Sequence, residues 1–355
     1  MGGVQAPGAM RARGAVLGLA AAASFGLSAP LAKLLLASVS PVLLAGLLYL
    51  GAAAGLWLHR LVRPFSKEAR LVSGDVPRLA AVVFAGGVLG PVLMLFGLER
   101  VTALAGSLLL NLEAPFTMLL AVVVFREHLG RQAAAAAAFI LGGAIALKLQ
   151  PGAVGADTAG IALLAGACLC WAIDNNLTQR LSMRDPFAIV RVKTLVAGVF
   201  NTALGLGLSG GTVPEAKYVA GALALGSISY GVSVVLDAYA LRLVGAAREA
   251  AYFATAPFVG ALGALVLLRE PLRWFDVVAM LAMGTGVVLL LRERHGHVHA
   301  HEAVEHEHLH EHDDHHQHEH GPDDAVGEPH SHRHQHVRLV HDHPHLPDMH
   351  HRHGH

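Results

Sequence analysis

Three carboxylic acids stand inside long apolar stretches of this chain: Glu113, Asp174 and Asp237. An ionisable group at the centre of a membrane helix costs about 2.5–3.5 kcal/mol on insertion scales, so each acid needs a partner or a task. Glu113 lies two residues before Pro115, Asp174 is followed by Asn175 and Asn176, and Asn111 stands one half-turn before Glu113. Such residues can hold a polar solute or carry a proton. The plainer reading is that each acid hydrogen-bonds a neighbouring helix or sits near the headgroups. That reading is strongest for Asp174 and Asp237, which fall on the inner halves of their stretches. Pro115 and Pro257 are mid-stretch, where proline removes an intrahelical hydrogen bond. The carbonyls so freed either line a binding cavity or merely accompany a packing kink.

A second set of chemically active residues closes the chain. All but two of the 25 histidines follow Arg292. They run as His295, His297, His299 and His301, then His306, His308, His310 and His312, then His315, His316, His318 and His320, with Asp and Glu between them. Imidazoles at this spacing suit Zn, Ni, Co or Cu, and no fixed geometry selects among them. Almost nothing in the segment can form a core, so disorder without a ligand is expected. A pH-sensing tail is the alternative, because histidine titrates near pH 6.5, about one proton per ring. His306-Glu307-His308-Leu309-His310 satisfies the zinc-protease pattern literally, but that motif requires a helix in a structured cleft. No phosphate-binding Gly-x-x-x-x-Gly-Lys loop is present, which argues against ATP-driven pumping.

These residues need a scaffold, and composition names its class. Hydrophobic residues are 54% and charged residues 15% of the 355, against about 25% charged in soluble domains. Apolar stretches of about 20 residues, each able to cross a bilayer, fall at 14–36, 41–62, 76–98, 102–125, 132–148, 158–181, 187–209, 217–243, 247–268 and 273–292. The expected fold is an all-α integral membrane protein of ten transmembrane helices with a disordered His-rich tail. Its parts are a segment 1–13, a first unit 14–148, a second unit 158–292 and a tail 293–355. The first stretch exceeds the apolar core of a signal peptide and has a counterpart later in the chain, so it reads as a retained span. Seventeen Lys and Arg in the loops and at the stretches' ends fall on the side of the N-terminus against six on the other. By the positive-inside rule both termini are cytoplasmic.

The two units are copies. Ala114-Pro115-Phe116 and Phe125-Arg126-Glu127-His128-Leu129 reappear as Ala256-Pro257-Phe258 and Leu268-Arg269-Glu270-Pro271-Leu272. Phe25 falls over Trp171, Lys33 over Gln179, and Ser40-Pro41 over Asp185-Pro186. Five spans per copy is an odd number, so the copies are inverted, an architecture of alternating-access carriers. Glu113 matches Thr255 and Asp174 matches Ser28, so the shared scaffold does not require these acids. Glu127 and Glu270, beside Arg at helix ends, read as loop ion pairs or helix N-terminal charges.

The paired Ala-Pro-Phe and Arg-Glu-x-Leu segments, the Phe25-Gly26 and Trp171-Ala172 turns and the five-plus-five layout resemble the EamA family of the drug/metabolite transporter superfamily. The resemblance covers residues 14–292. It implies a ten-helix carrier of small metabolites that works without ATP hydrolysis. The sequence departs from the family pattern at Phe25, where tryptophan is common. It departs again near Gly46–Leu48, which lacks the basic residue that Arg191 and Lys193 supply in the second copy.

The expected function is secondary transport of a small solute, proton coupling included as a hypothesis. The site would be drawn from Glu113, Asp174, Asn175, Asn176, Asp237, Asn111, Pro115 and Pro257. One alternative is a divalent transition-metal transporter with the tail as sensor. A second is a non-transporting metal-binding membrane protein. No enzyme activity, required cofactor or nucleic-acid partner is expected. Lipid and a small-molecule or metal-ion substrate are the expected partners, a homodimer is the candidate assembly, and the cell inner (plasma) membrane is the expected location.

Overall fold

The computed structural model describes residues 7–62, 69–125, 130–149, 157–181 and 184–292, with four short segments of the tail. The first repeat comprises α1 (Pro7–Gly26), α2 (Ser28–Leu36), α3 (Pro41–Val62), α4 (Val76–Val82), α5 (Gly90–Arg100), α6 (Ala103–Leu109), α7 (Glu113–Phe125) and α8 (Arg131–Lys148). The second comprises α9 (Thr158–Gln179), α10 (Pro186–Leu208), α11 (Ala216–Gly226), α12 (Ser233–Val244), α13 (Ala246–Phe253), α14 (Ala256–Leu267) and α15 (Trp274–Arg292). Among the described residues nine helical stretches are long and apolar enough to cross a membrane. Helix α8, with 18 residues, takes the tenth position; Arg131, Gln132 and Lys148 at its ends dilute its apolar middle. Helix α1 begins at Pro7, ahead of the expected start at Gly14.

Packing follows the inverted duplication. Span two packs on span seven (α3 on α10), span five on span ten (α8 on α15), and span four on span nine (α6 on α14). The pair α1 with α12 is matched by its repeat equivalent, α9 with α5. Lipid supplies no hydrophobic drive between helices, so close backbone approach through small residues does the joining. A Cβ on Gly46 would strike the Thr202 backbone, and one on Gly226 would strike the Leu48 carbonyl.

Spans three and eight each contain a π-helical segment, Val83–Leu89 and Ser227–Val232, at corresponding places. Wider turns of this kind frequently mark functional positions. Spans four and nine are each interrupted just before their prolines. The residues Leu110–Leu112 form a 3-10 turn ahead of α7, and Ala254 and Thr255 separate α13 from α14. This corrects the expectation of a kinked continuous helix. Pro115 and Pro257 sit in the first turn of the second half-helix, where the missing N–H has no intrahelical partner to lose.

The two ends of the bundle are fastened differently. At one, Lys33 donates to the carbonyls of Leu98 and Val101. There Arg269 adopts the left-handed conformation (φ 54°), ends α14 and directs Glu270 toward α6. The Glu270 carboxylate accepts from Ala103 N–H at 2.7 Å and Leu104 N–H at 2.8 Å, capping a helix of the other repeat. At the opposite end Arg184 pairs with Asp75 at 2.9 Å. Asp185 caps α10 through Phe187 and Ala188 N–H and pairs with the buried Arg191 at 3.4 Å. Glu127 lies outside the described residues.

In the tail, β1 (Val298–His301) pairs antiparallel with β4 (Leu339–Asp342), and β2 (Glu305–His310) with β3 (His330–Gln335). A two-stranded ladder is at best marginally stable by itself in water, so these strands add pairing rather than a core. His306 through His310 lie in β2, not on the helix that the protease pattern needs. His299, His301, His306, His308 and His310 fall within strands, while His295, His297, His312, His315, His316, His318 and His320 lie outside the described residues.

Candidate functional site

The π turn of span three builds one wall of the site. Its backbone carbonyls are released from regular helical pairing, and side chains of three other spans take them up. Gly86 O accepts from Tyr49 Oη of α3 at 2.9 Å and from Trp171 Nε1 of α9 at 3.1 Å. Asn201 of α10 donates toward Gly87 O at 3.4 Å. Gly86 is obligatory for packing, because a Cβ there would collide with the Asp174 carboxylate.

Asp174 is buried and accepts from Lys193 Nζ of α10 at 2.7 Å and from Thr178 Oγ1 of its own helix at 3.0 Å. One residue on, Asn175 Nδ2 donates to Glu113 Oε1 at 2.7 Å, joining the repeats. Asp174 and Lys193 lie within electrostatic reach of Glu113, and so does Tyr49. On the other side Tyr230, in the π turn of span eight, donates to Ser28 Oγ at 3.1 Å. Its ring stands 5.6 Å from Phe25 and 6.1 Å from Tyr49, and Phe253 lies 5.3 Å from Phe25.

The two walls are equivalents of each other. Gly86 and Tyr230 are each the fourth residue of their π segments. Trp171 and Asp174 stand on Gly86 as Phe25 and Ser28 stand on Tyr230. One half therefore pairs a small residue with an acid, and the other pairs a large phenol with a small hydroxyl. This divides a symmetric scaffold into a charged side and an aromatic side.

Of the residues singled out in the sequence, the structure brings Glu113, Asp174 and Asn175 together. Asn176 instead joins helices, donating to Ala172 O at 2.8 Å and Thr117 O at 3.3 Å. Asn111 donates to Leu108 O at 2.9 Å and satisfies the break in span four. Asp237 lies apart on α12, where one of its carboxylate oxygens is buried without a hydrogen-bond partner. Sequence reasoning missed Lys193, Tyr49 and Gly86. Lys193 carries a signal in the sequence, a basic residue early in span seven without a counterpart in span two, but nothing local pairs it with Asp174. The π turns have no sequence signature that periodicity reveals. Among the described residues no three His, Cys, Asp or Glu side chains are grouped to hold a metal ion.

A multi-pass membrane protein whose inverted halves close on a polar, aromatic-walled centre has the build of a small-solute carrier. The chain belongs to the EamA-like transporter family, whose model matches residues 12–149 and 158–292, one match per repeat. It is a transporter of small solutes rather than an enzyme. An uncharacterized transporter of Methanothermobacter thermautotrophicus is 31% identical over 283 residues, covering 75% of this chain and 82% of its own. An uncharacterized protein of Pseudomonas aeruginosa is 31% identical over 186 residues, covering 52% of this chain and 64% of its own. A crystal structure of 17% identity superposes with a TM-score of 0.58 over 79% of this chain and 96% of that one, which supports the fold alone.

Proposed function

We propose that this chain is a secondary carrier that moves a small polar metabolite by alternating access, rocking one repeat against the other around the Glu113–Asn175 contact. That cross-repeat hydrogen bond carries the reading. A group held jointly by two mobile halves reports the arrangement of both, and matched interruptions of paired helices mark carrier sites. Lys193 with Asp174 offers charges of both signs, so the solute is polar or zwitterionic, and the aromatic side of Phe25, Tyr49 and Tyr230 receives its apolar part. The protein resides in the cell (plasma) membrane with both termini cytoplasmic, following the distribution of Lys and Arg. The tail binds transition metal through closely spaced imidazoles.

The test is reconstitution of the full chain in proteoliposomes, with uptake of radiolabelled amino acids and nucleobases measured beside Zn, Ni and Co ions. Flux of an organic solute that falls at least tenfold in Glu113→Ala supports the reading. Flux of metal ions alone, lost when residues 295–355 are removed, replaces it with metal transport. No flux of any solute leaves a non-transporting membrane protein.

A further inference from the structure

The strands of the tail carry a pattern that histidine content alone does not fix. In the ladder of β2 with β3, His306 stands opposite His334, His308 opposite His332 and His310 opposite His330. Residues two apart on a strand share a face, and directly opposite residues share it with them. One face of the ladder therefore holds three successive cross-strand histidine pairs. The other face sets Glu305, Glu307 and Leu309 opposite Gln335, Arg333 and Ser331. This sorting depends on register. A slip of one residue would set the same histidines of β2 opposite Gln335, Arg333 and Ser331 instead. The ladder of β1 with β4 gathers fewer, with His299 opposite His341 but His301 opposite Leu339.

These register positions have the spacing of a coordination site. Opposite residues of an antiparallel pair have Cβ atoms about 4.5–5.5 Å apart, and residues two along a strand are about 6.5–7 Å apart. Two neighbouring pairs thus bring four histidine positions within reach of one ion, and His308 with His332 belongs to either choice. A donor set of imidazoles, with the carboxylates on the other face, suits a borderline divalent ion such as Zn, Ni or Cu over Mg or Ca. A two-stranded ladder is marginal by itself, and metal binding to a chain without a preformed site contributes directly to its folding. An ion held across β2 and β3 therefore stabilises the register that makes its own site.

We propose that β2 and β3 form a cross-strand site for a borderline divalent ion, centred on His308 and His332 and completed by His306 with His334 or His310 with His330. The inference rests on the reading that the tail binds transition metal, and it gives that binding a place. Each ring ligates as neutral imidazole, so any proton it carries is released to water when the ion binds. No electrons move. A local His-x-His run would bind with residues of one segment alone, whereas this site needs both strands, and the ion closes the loop between residues 310 and 330.

Titration of the full chain in lipid nanodiscs with Zn ions against a chromophoric chelator, with amide exchange followed over 305–310 and 330–335, tests it. The expected result is zinc binding that slows exchange in both strands together. His308→Gln in β2 and His332→Gln in β3 each weaken the tightest site at least tenfold and remove the protection from both strands. His318→Gln leaves both readouts unchanged, although His316, His318 and His320 repeat the same local spacing outside the strands. Equal weakening by all three variants overturns the ladder site and leaves binding by scattered imidazoles, as does zinc binding that protects neither strand. Absence of zinc binding in the parent protein overturns the site and the metal-binding reading of the tail together. The parent measurement needs no variant to fold.

Discussion

Asn175 of α9 donates a 2.7 Å hydrogen bond to Glu113 at the first residue of α7, across the boundary between the two repeats. The contact depends on the break in span four. Had Leu110–Leu112 continued as regular helix, Glu113 would lie on a different face.

Asn175 and Asn176 therefore separate by role. Replacing Asn175 with Ala removes the hydrogen bond to the Glu113 carboxyl group, worth about 0.5–1.5 kcal/mol, and is expected to raise KM for the solute. Asn176→Ala removes bonds to Ala172 and Thr117 carbonyls and is expected to lower thermal stability with KM unchanged. Uptake kinetics beside thermal unfolding in detergent decide this; equal KM effects would remove the distinction.

Asp174 is buried and its partner Lys193 is half-buried, so removing either one leaves a charge without its partner at a cost of up to about 3 kcal/mol, the low end for a fully buried pair. Asp174→Asn and Lys193→Met should each destabilise by that order, and the double variant should recover most of the loss. A double-mutant cycle on denaturation midpoints measures it.

Glu270 caps α6 from the other repeat through two backbone N–H groups. Glu270→Ala should cost about 1–2 kcal/mol and speed amide exchange at Ala103 and Leu104. Glu270→Gln should cost less. Exchange confined to α14 would contradict the cap.

Two glycines make opposite predictions. A Cβ at Gly226 meets the Leu48 backbone, so Gly226→Ala should cost about 1–3 kcal/mol as overpacking. Gly142, inside α8, has nothing near its Cβ position, and Gly142→Ala should gain up to about 1 kcal/mol from helix propensity. Thermal midpoints of the two variants should move in opposite directions.

Outside the membrane, Asp157 caps α9: the Ala159 amide first, then the Arg100 guanidinium, holds its carboxyl below the usual range. A depressed carboxyl contributes stability above its unfolded pKa and loses it as pH falls through the folded one. Asp157→Ala should differ from the parent at neutral pH and converge with it in acid, by thermal unfolding across pH.

Much of the architecture was legible from the chain. Apolar stretches matched to bilayer thickness give spans because unsatisfied backbone is costly in lipid. The duplicated Ala-Pro-Phe and Arg-Glu-x-Leu segments, five spans apart, gave inversion by parity. The acids Glu113 and Asp174 stood out by type and surroundings alone. What each acid meets was a different matter. Asp174 finds Lys193 nineteen residues away, Glu113 finds Asn175 sixty-two away, and Glu270 reaches Ala103 at a separation of 167. Partners so distant are selected by how helices dock, which local patterns do not encode. The π turns are likewise a product of packing: Gly86 and Tyr230 occupy equivalent places, yet only the docked bundle shows which carbonyls are released and which side chains claim them. Sequence thus determined the spans, their inversion and the chemical types available, because these follow from transfer energies and periodicity. Tertiary structure alone decided that Glu113 and Asp174 stand on either side of one centre and that Asp237 stands apart from it on α12, because that depends on which faces pack together.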